Sequence, residues 1–150
     1  MTKFKETGKK ILLLNDGRII ASSGFIAAAN GSFTLATNLS AKTLIFPLKV
    51  KAGDKILSFK VLGTTTGAAG AATTVDADLR RIKHAAAVVD ASLGAITQVS
   101  NVTVATDLDS SKVINHVVAK DYQYYVLITV TTGNDGATLA AITGVEVTIA

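Results

Sequence analysis

The sequence predicts an all-β chain folded as an antiparallel β-sandwich, jelly-roll-like, with an N-terminal arm and hairpin. Three observations predict it. Apolar residues recur in short runs, several alternating with polar ones at the two-residue period of a strand. Turn signals built on Gly, Asn and Asp separate these runs at short intervals. The apolar content is 49% of the chain with only 5% aromatic, so the core must be Val, Ile and Leu with Ala as small filler, which suits pleated sheets. A closed barrel is the second architecture that fits. At 150 residues the chain has the length of one domain, enough to bury roughly 70% of its unfolded surface. Within that domain, residues 1–42 read as a basic arm with hairpins and residues 43–150 as the sandwich.

The arm opens the chain. Residues 1–20 hold Lys3, Lys5, Lys9, Lys10 and Arg18 against Glu6 and Asp16, which is most of the formal net charge of +4. Such a segment is either a solvated tail or an arm that lies on an acidic partner. The apolar run Ile11–Leu14 ends at Asn15-Asp16-Gly17, well short of the roughly 7–15 residues of a signal core or the about 20 of a membrane span. No membrane partner is expected. Ile11–Leu14 and Arg18–Ala21 flank that turn as a first hairpin, and Gly24–Ala28 and Ser32–Thr37 flank Asn30-Gly31 as a second.

Thr43–Val50 reads as a strand whose Pro47 lacks a ladder donor, placing it at an edge or a bulge. In Lys55–Leu62, Leu57, Phe59 and Val61 alternate with Ile56, Ser58, Lys60 and Leu62, and the first set should face the core. Gly63–Ala72 reads as a small-residue loop. Thr74–Lys83 is ambiguous between strand and helix, with its β-rich surroundings favouring strand and a helical turn near His84–Val88. Ala95–Ala105 puts Ile96, Val102 and Val104 on one face and Thr97, Val99, Asn101 and Thr103 on the other. Val113–Ala119 is short, and Tyr122–Thr132 with Leu139–Ile149 read as a closing hairpin around Gly133-Asn134-Asp135-Gly136.

Chemistry-bearing motifs are sparse. The absence of cysteine removes disulfides and thiolate metal sites. His84 and His116 lie far apart and lack the companions a zinc site needs. Asp107, Asp109 and Ser110 resemble the start of a calcium loop, but Lys112 and Val118 stand where that loop needs its glycine and its bidentate glutamate. Gly67–Gly70 is not followed by the Lys-Ser or Lys-Thr of a phosphate loop, and Ser22 and Ser23 lack a nucleophile-elbow context. We therefore expect no enzyme and no cofactor. Outside the arm, Arg80, Arg81 and Lys83 form the one basic cluster, with no aromatic between them, so nucleic acid is not the expected partner. The tyrosines are the remaining signal. Tyr122, Tyr124, Val126, Ile128 and Val130 share one strand face; Gln123, Tyr125, Leu127, Thr129 and Thr131 share the other. A strand apolar on both faces needs cover on both, and tyrosine suits a subunit interface. Lys3, Lys5, Lys9, Lys10, Tyr122 and Tyr125 are thus the candidate interface residues.

The phrases "LIFPLKVKAGDKILSFKVLG", "TTVDADLRRI", "ASLGAITQVSNVTV" and "DYQYYVLITVTTG…ITGVEVTIA", in this order, resemble small β-sandwich structural proteins of tailed bacteriophage virions, of the head decoration, head fibre or tail accessory type. The resemblance covers about residues 43–150. It implies assembly without catalysis: a virion protein made in the host cytoplasm, seated as a homotrimer on the major capsid protein or another virion protein. A receptor- or glycan-binding fibre or tail domain is the alternative it leaves open.

Overall fold

The computed structural model describes residues 9–14, 18–19, 25–27, 32–35, 41–68, 70–84, 90–132 and 140–150. Among them there are twelve strands and no helix. They are β1 (Lys9–Leu14), β2 (Arg18–Ile19), β3 (Ile26–Ala27), β4 (Phe33–Leu35), β5 (Lys42–Pro47) and β6 (Lys55–Thr65). The chain continues with β7 (Thr73–Lys83), β8 (Asp90–Ser100), β9 (Thr106–Asp107), β10 (Ser111–Val117), β11 (Tyr122–Thr132) and β12 (Ala140–Ile149). Two antiparallel sheets form. Sheet A has seven strands in the order β10-β6-β12-β4-β3, with β1 also on β12 and β9 also on β6. Sheet B has five, in the order β2-β5-β11-β7-β8. From β5 onward the chain changes sheet at every connection except β7–β8 and β9–β10, the alternation that makes a sandwich jelly-roll-like.

The core lies between the sheets. β11 sits at the centre of sheet B, paired along its whole length with β7 and over Tyr125–Val130 with β5. Its inward residues Tyr124, Val126, Ile128 and Val130 are fully buried, and sheet A answers with Ile56, Phe59, Val61, Ile142, Val145 and Val147. Phe33 meets Phe46 edge to face between the sheets, with ring centroids 6.3 Å apart.

Several expectations are corrected. β11 and β12 do not form a hairpin: β11 has β5 and β7 on its two edges, β12 has β6 on one and β4 and β1 on the other, so neither has an edge left for its neighbour in sequence. Nor do the strands flanking Asn15-Asp16-Gly17 pair, since β1 lies on β12 in sheet A and β2 on β5 in sheet B. Ile56 replaces Leu57 in the core. The β6–β12 register passes from Thr148↔Ser58 to Ile149↔Ile56, so Leu57 is the extra residue of a bulge, and one extra residue turns the strand over. β6 also runs on to Thr65, beyond the expected loop start at Gly63. Thr73–Lys83 is strand throughout; residues 85–89 of the expected helical turn lie outside the described residues. β8 stops at Ser100 because it is an edge strand whose sole partner, β7, begins opposite at Thr73, so Val102 and Val104 lie in an exposed connection and not on a strand face. The Asn30-Gly31 pair is flanked by β3 and β4, which do pair. Pro47 closes β5: Leu48 N–H donates to Tyr124 O at 2.9 Å, so the alternation aims the Pro47 nitrogen at the opposite edge, where β2 reaches only Leu44 and Ile45.

Candidate functional site

The outward face of sheet B gathers a cluster of polar side chains around Tyr125. Register sets its layout. Tyr125, Leu127 and Thr129 of β11 stand opposite Pro47, Ile45 and Thr43 of β5 on one side. On the other side they stand opposite Arg80, Asp78 and Asp76 of β7. All of these are partly buried by their cross-strand neighbours. Beyond β7, the edge strand β8 brings Thr97 beside Asp76, and Ser92 beside Arg80 after a bulge at Leu93.

A hydrogen-bonded network joins three of these strands. Arg80 Nε contacts both oxygens of Asp90 at 3.1 Å, and Nη1 donates to Asp78 Oδ2 at 2.6 Å. Tyr125 O–H donates to Asp90 Oδ1 at 2.9 Å, Ser92 O–H to Asp78, and Thr97 O–H to Asp76 at 2.6 Å. Hydrogen bonds from Arg80 hold the Asp90 carboxyl below its usual range, and Arg80 is in turn pushed upward by Asp90 and then Asp78. Partial burial, and then the bond to Asp90, raises the Tyr125 phenol. Each shift moves its group's titration further from pH 7, so this network holds its charge state there and offers fixed hydrogen-bonding positions. Next to it lies an open depression of about 260 Å3 lined by Ile45, Pro47, Ile82, Gln123 and Tyr125.

The candidate residues separate. Tyr125 lies on this face. Tyr122 lies on the inward face near the sandwich end, its ring under the Arg81 guanidinium at 4.4 Å from the centroid. Lys9 and Lys10 begin β1 in register with Ile149 and Thr148 of sheet A, so the first strand already includes them. Lys3 and Lys5 lie outside the described residues. Of the centre of the network, the sequence marks Arg80 only as part of a basic cluster and does not mark Asp90; the spacing of Asp76, Asp78 and Arg80 at every second residue is the available signal, and the β7–β8 register that brings Asp90 in is not.

His116 is half-buried and has a hydrogen-bond partner. Ala119 N–H donates to Tyr124 Oη at 2.9 Å, and Oη is 2.9 Å from His116 Nε2. The direction of the bond between Oη and Nε2 follows the imidazole tautomer. Among the described residues no three His, Cys, Asp or Glu side chains cluster as metal ligands. No protein-family model, curated protein or solved structure matches this chain.

Proposed function

We propose that this protein is a structural subunit of a tailed-bacteriophage virion, a homotrimeric head decoration protein that cements the capsid by contact area. The observation that carries the reading is the outward face of sheet B. Tyr125, Leu127, Ile45, Pro47 and Ile82 form an aromatic and aliphatic centre, and Arg80, Asp90, Asp78 and Gln123 form its polar rim. An apolar centre inside a polar rim is the layout of a protein–protein interface. Its side chains are held in place before any partner arrives, which lowers the ordering cost of association. The order of sequence phrases over about residues 43–150, which resembles that of phage virion proteins, agrees with this reading.

Tyr125→Asp tests it. The substitution puts a carboxylate beside Asp90 in the centre of the patch, while the inward face of β11 is untouched. The expected result is a trimer for the parent and a monomer for the variant in sedimentation velocity, with the variant lost from purified particles. Equal association of the two would count against the reading, and electron microscopy of particles carrying the labelled chain locates it directly.

The depression beside Tyr125 favours a second reading, a glycan- or receptor-binding fibre or tail domain, because it sets an aromatic side chain next to the Gln123 amide. Glycan-array binding that disappears in Tyr125→Ala, with oligomeric state unchanged, would select it.

A further inference from the structure

We infer that the lysine-bearing end of the sandwich, beyond the segment before Lys9, is the surface that docks this protein on an acidic protein partner. That the partner is a virion protein rests on the reading above; the surface itself does not. In the sequence these cations are scattered over four segments, and the fold collects them. Lys49 and Lys51 lie in the connection after β5, Lys55 opens β6, Lys83 closes β7, and Lys120 lies in the turn before β11. Backbone hydrogen bonds tie these segments together: Gly53 N–H to Val118 O at 2.9 Å, Val118 N–H to Asp54 O at 2.7 Å, and His84 N–H to Asp121 O at 2.8 Å. Lys55 and Ala150 exchange both of their backbone bonds. β1 starts at this same end, since Lys9 pairs with Ile149 and Ile149 with Ile56.

All five lysines are exposed, and none takes part in the ion pairs found among the described residues, which join Lys60 to Glu146 and Arg80 to Asp78 and Asp90. Against them stand Asp121, exposed in the turn, and Asp54, which accepts Lys51 N–H at 2.8 Å. Unpaired like charges gathered on one end steer an oppositely charged surface toward it and gain most where that surface supplies carboxylates. The composition of the end selects protein over nucleic acid. Lysine is a point charge without the planar fork that grips phosphate, and the arginine here, Arg81, is engaged over Tyr122. Among the described residues no exposed aromatic stands beside the lysines for a base to stack on, and Asp121 would face the phosphates.

The test has two arms. In particles carrying the chain, amine acetylation and zero-length carbodiimide coupling are mapped on Lys49, Lys51, Lys55, Lys83 and Lys120. Protection of these lysines, with cross-links to Asp or Glu of a neighbouring protein, is the expected result. Equal acetylation on and off the particle overturns the docking surface and leaves the virion reading standing. Protection that vanishes after nuclease treatment also overturns it, in favour of nucleic acid. In the second arm the purified chain binds immobilised poly-L-glutamate. The four-site variant Lys49→Gln/Lys51→Gln/Lys83→Gln/Lys120→Gln should bind about tenfold more weakly or worse at low salt, with an unchanged melting curve, while a chain lacking residues 1–8 keeps most of its binding. Unchanged binding by the four-site variant overturns the proposal. A chain absent from particles removes the virion reading alone, and the poly-L-glutamate result then decides the surface by itself.

Discussion

At the scale of single residues, the buried Tyr124 hydroxyl is the most demanding polar group in the core. It accepts from Ala119 N–H and lies against His116 Nε2, so one oxygen satisfies a turn amide and an imidazole together. Tyr124→Phe keeps the ring and strands both partners. Leaving a buried group unpaired costs about 1–3 kcal/mol, and we expect a loss in that range by chemical denaturation. A cost below about 0.5 kcal/mol would mean that water replaces the phenol in both bonds. His116 has a second consequence. Burial, and then the Arg81 charge, hold its proton affinity below the usual imidazole range. The unfolded chain therefore protonates first as pH falls through about 6.5. It binds more protons than the folded chain there, so stability rises with pH across that window. The contribution of neutral His116 is fully present above about pH 6.5 and is lost as pH falls toward its depressed folded value. Thermal melts should decline as pH falls from about 7.5 to about 5, and the decline should shrink in His116→Gln. Asp90, depressed by Arg80, acts with the same sign but only at the lower pH of carboxylate titration. A flat parent profile between about pH 7.5 and 5 would contradict the lowered proton affinity of His116.

At the scale of elements, the chain's alternation reveals strands more readily than their partners. Tyr122–Thr132 is found with the bounds read from its sequence, and its inward residues are those its period-two pattern selects. What the pattern leaves out is pairing. A turn between two strands looks the same whether the strands pair or cross between sheets, which is why β11 and β12, read as a hairpin, lie in different sheets. The bulge at Leu57 was hidden for a related reason. Ile56 and Leu57 are equally apolar, and only the partner register shows which one is the extra residue. The same limit applies to the candidate face. Tyr125 was readable from its own strand, whereas Arg80 and Asp90 join it through two ladders that local sequence does not encode. Gly63 marks a place where an element tolerates nothing larger. It has φ +147, and a Cβ there would collide with the backbone carbonyl of Ala141 in the paired strand β12. No flexible side chain can yield, so the β6–β12 ladder must shift. Gly63→Ala is expected to destabilise by about 2 kcal/mol or more, within the range for strain at a special backbone position. A melting temperature within about 1 °C of the parent, well inside the shift that such a loss gives, would show that the ladder absorbs the methyl group.

At the scale of the whole molecule, the described strands before β5 belong to both sheets. β2 extends sheet B, while β1, β3 and β4 belong to sheet A. The pairing of β1 with β12 spans nearly the whole sequence, from Lys9↔Ile149 to Leu14↔Gly144. Closing so long a loop costs entropy that only the finished ladder returns, so folding should be slow for a domain of this size. It also means that β1 is the cover on one edge of β12, a central strand of the core. A basic arm therefore has to be distinguished from a structural strand, and truncation separates the two. Removing residues 1–8 takes away Lys3 and Lys5 and leaves β1 whole, and stability should stay within about 0.5 kcal/mol of the parent. Removing residues 1–14 also deletes β1 and opens the edge of β12 over Gly144–Ile149, where Val145 and Val147 are core residues. An uncovered apolar edge recruits other strands. The longer truncation should lose about 2 kcal/mol or more by denaturant unfolding, in line with the loss of an edge ladder and its packing, and should scatter light at concentrations where the shorter one stays clear. If both truncations unfold at the same denaturant concentration and stay equally soluble, β1 contributes no cover, and the seven-stranded form of sheet A is not the one that stabilises the protein.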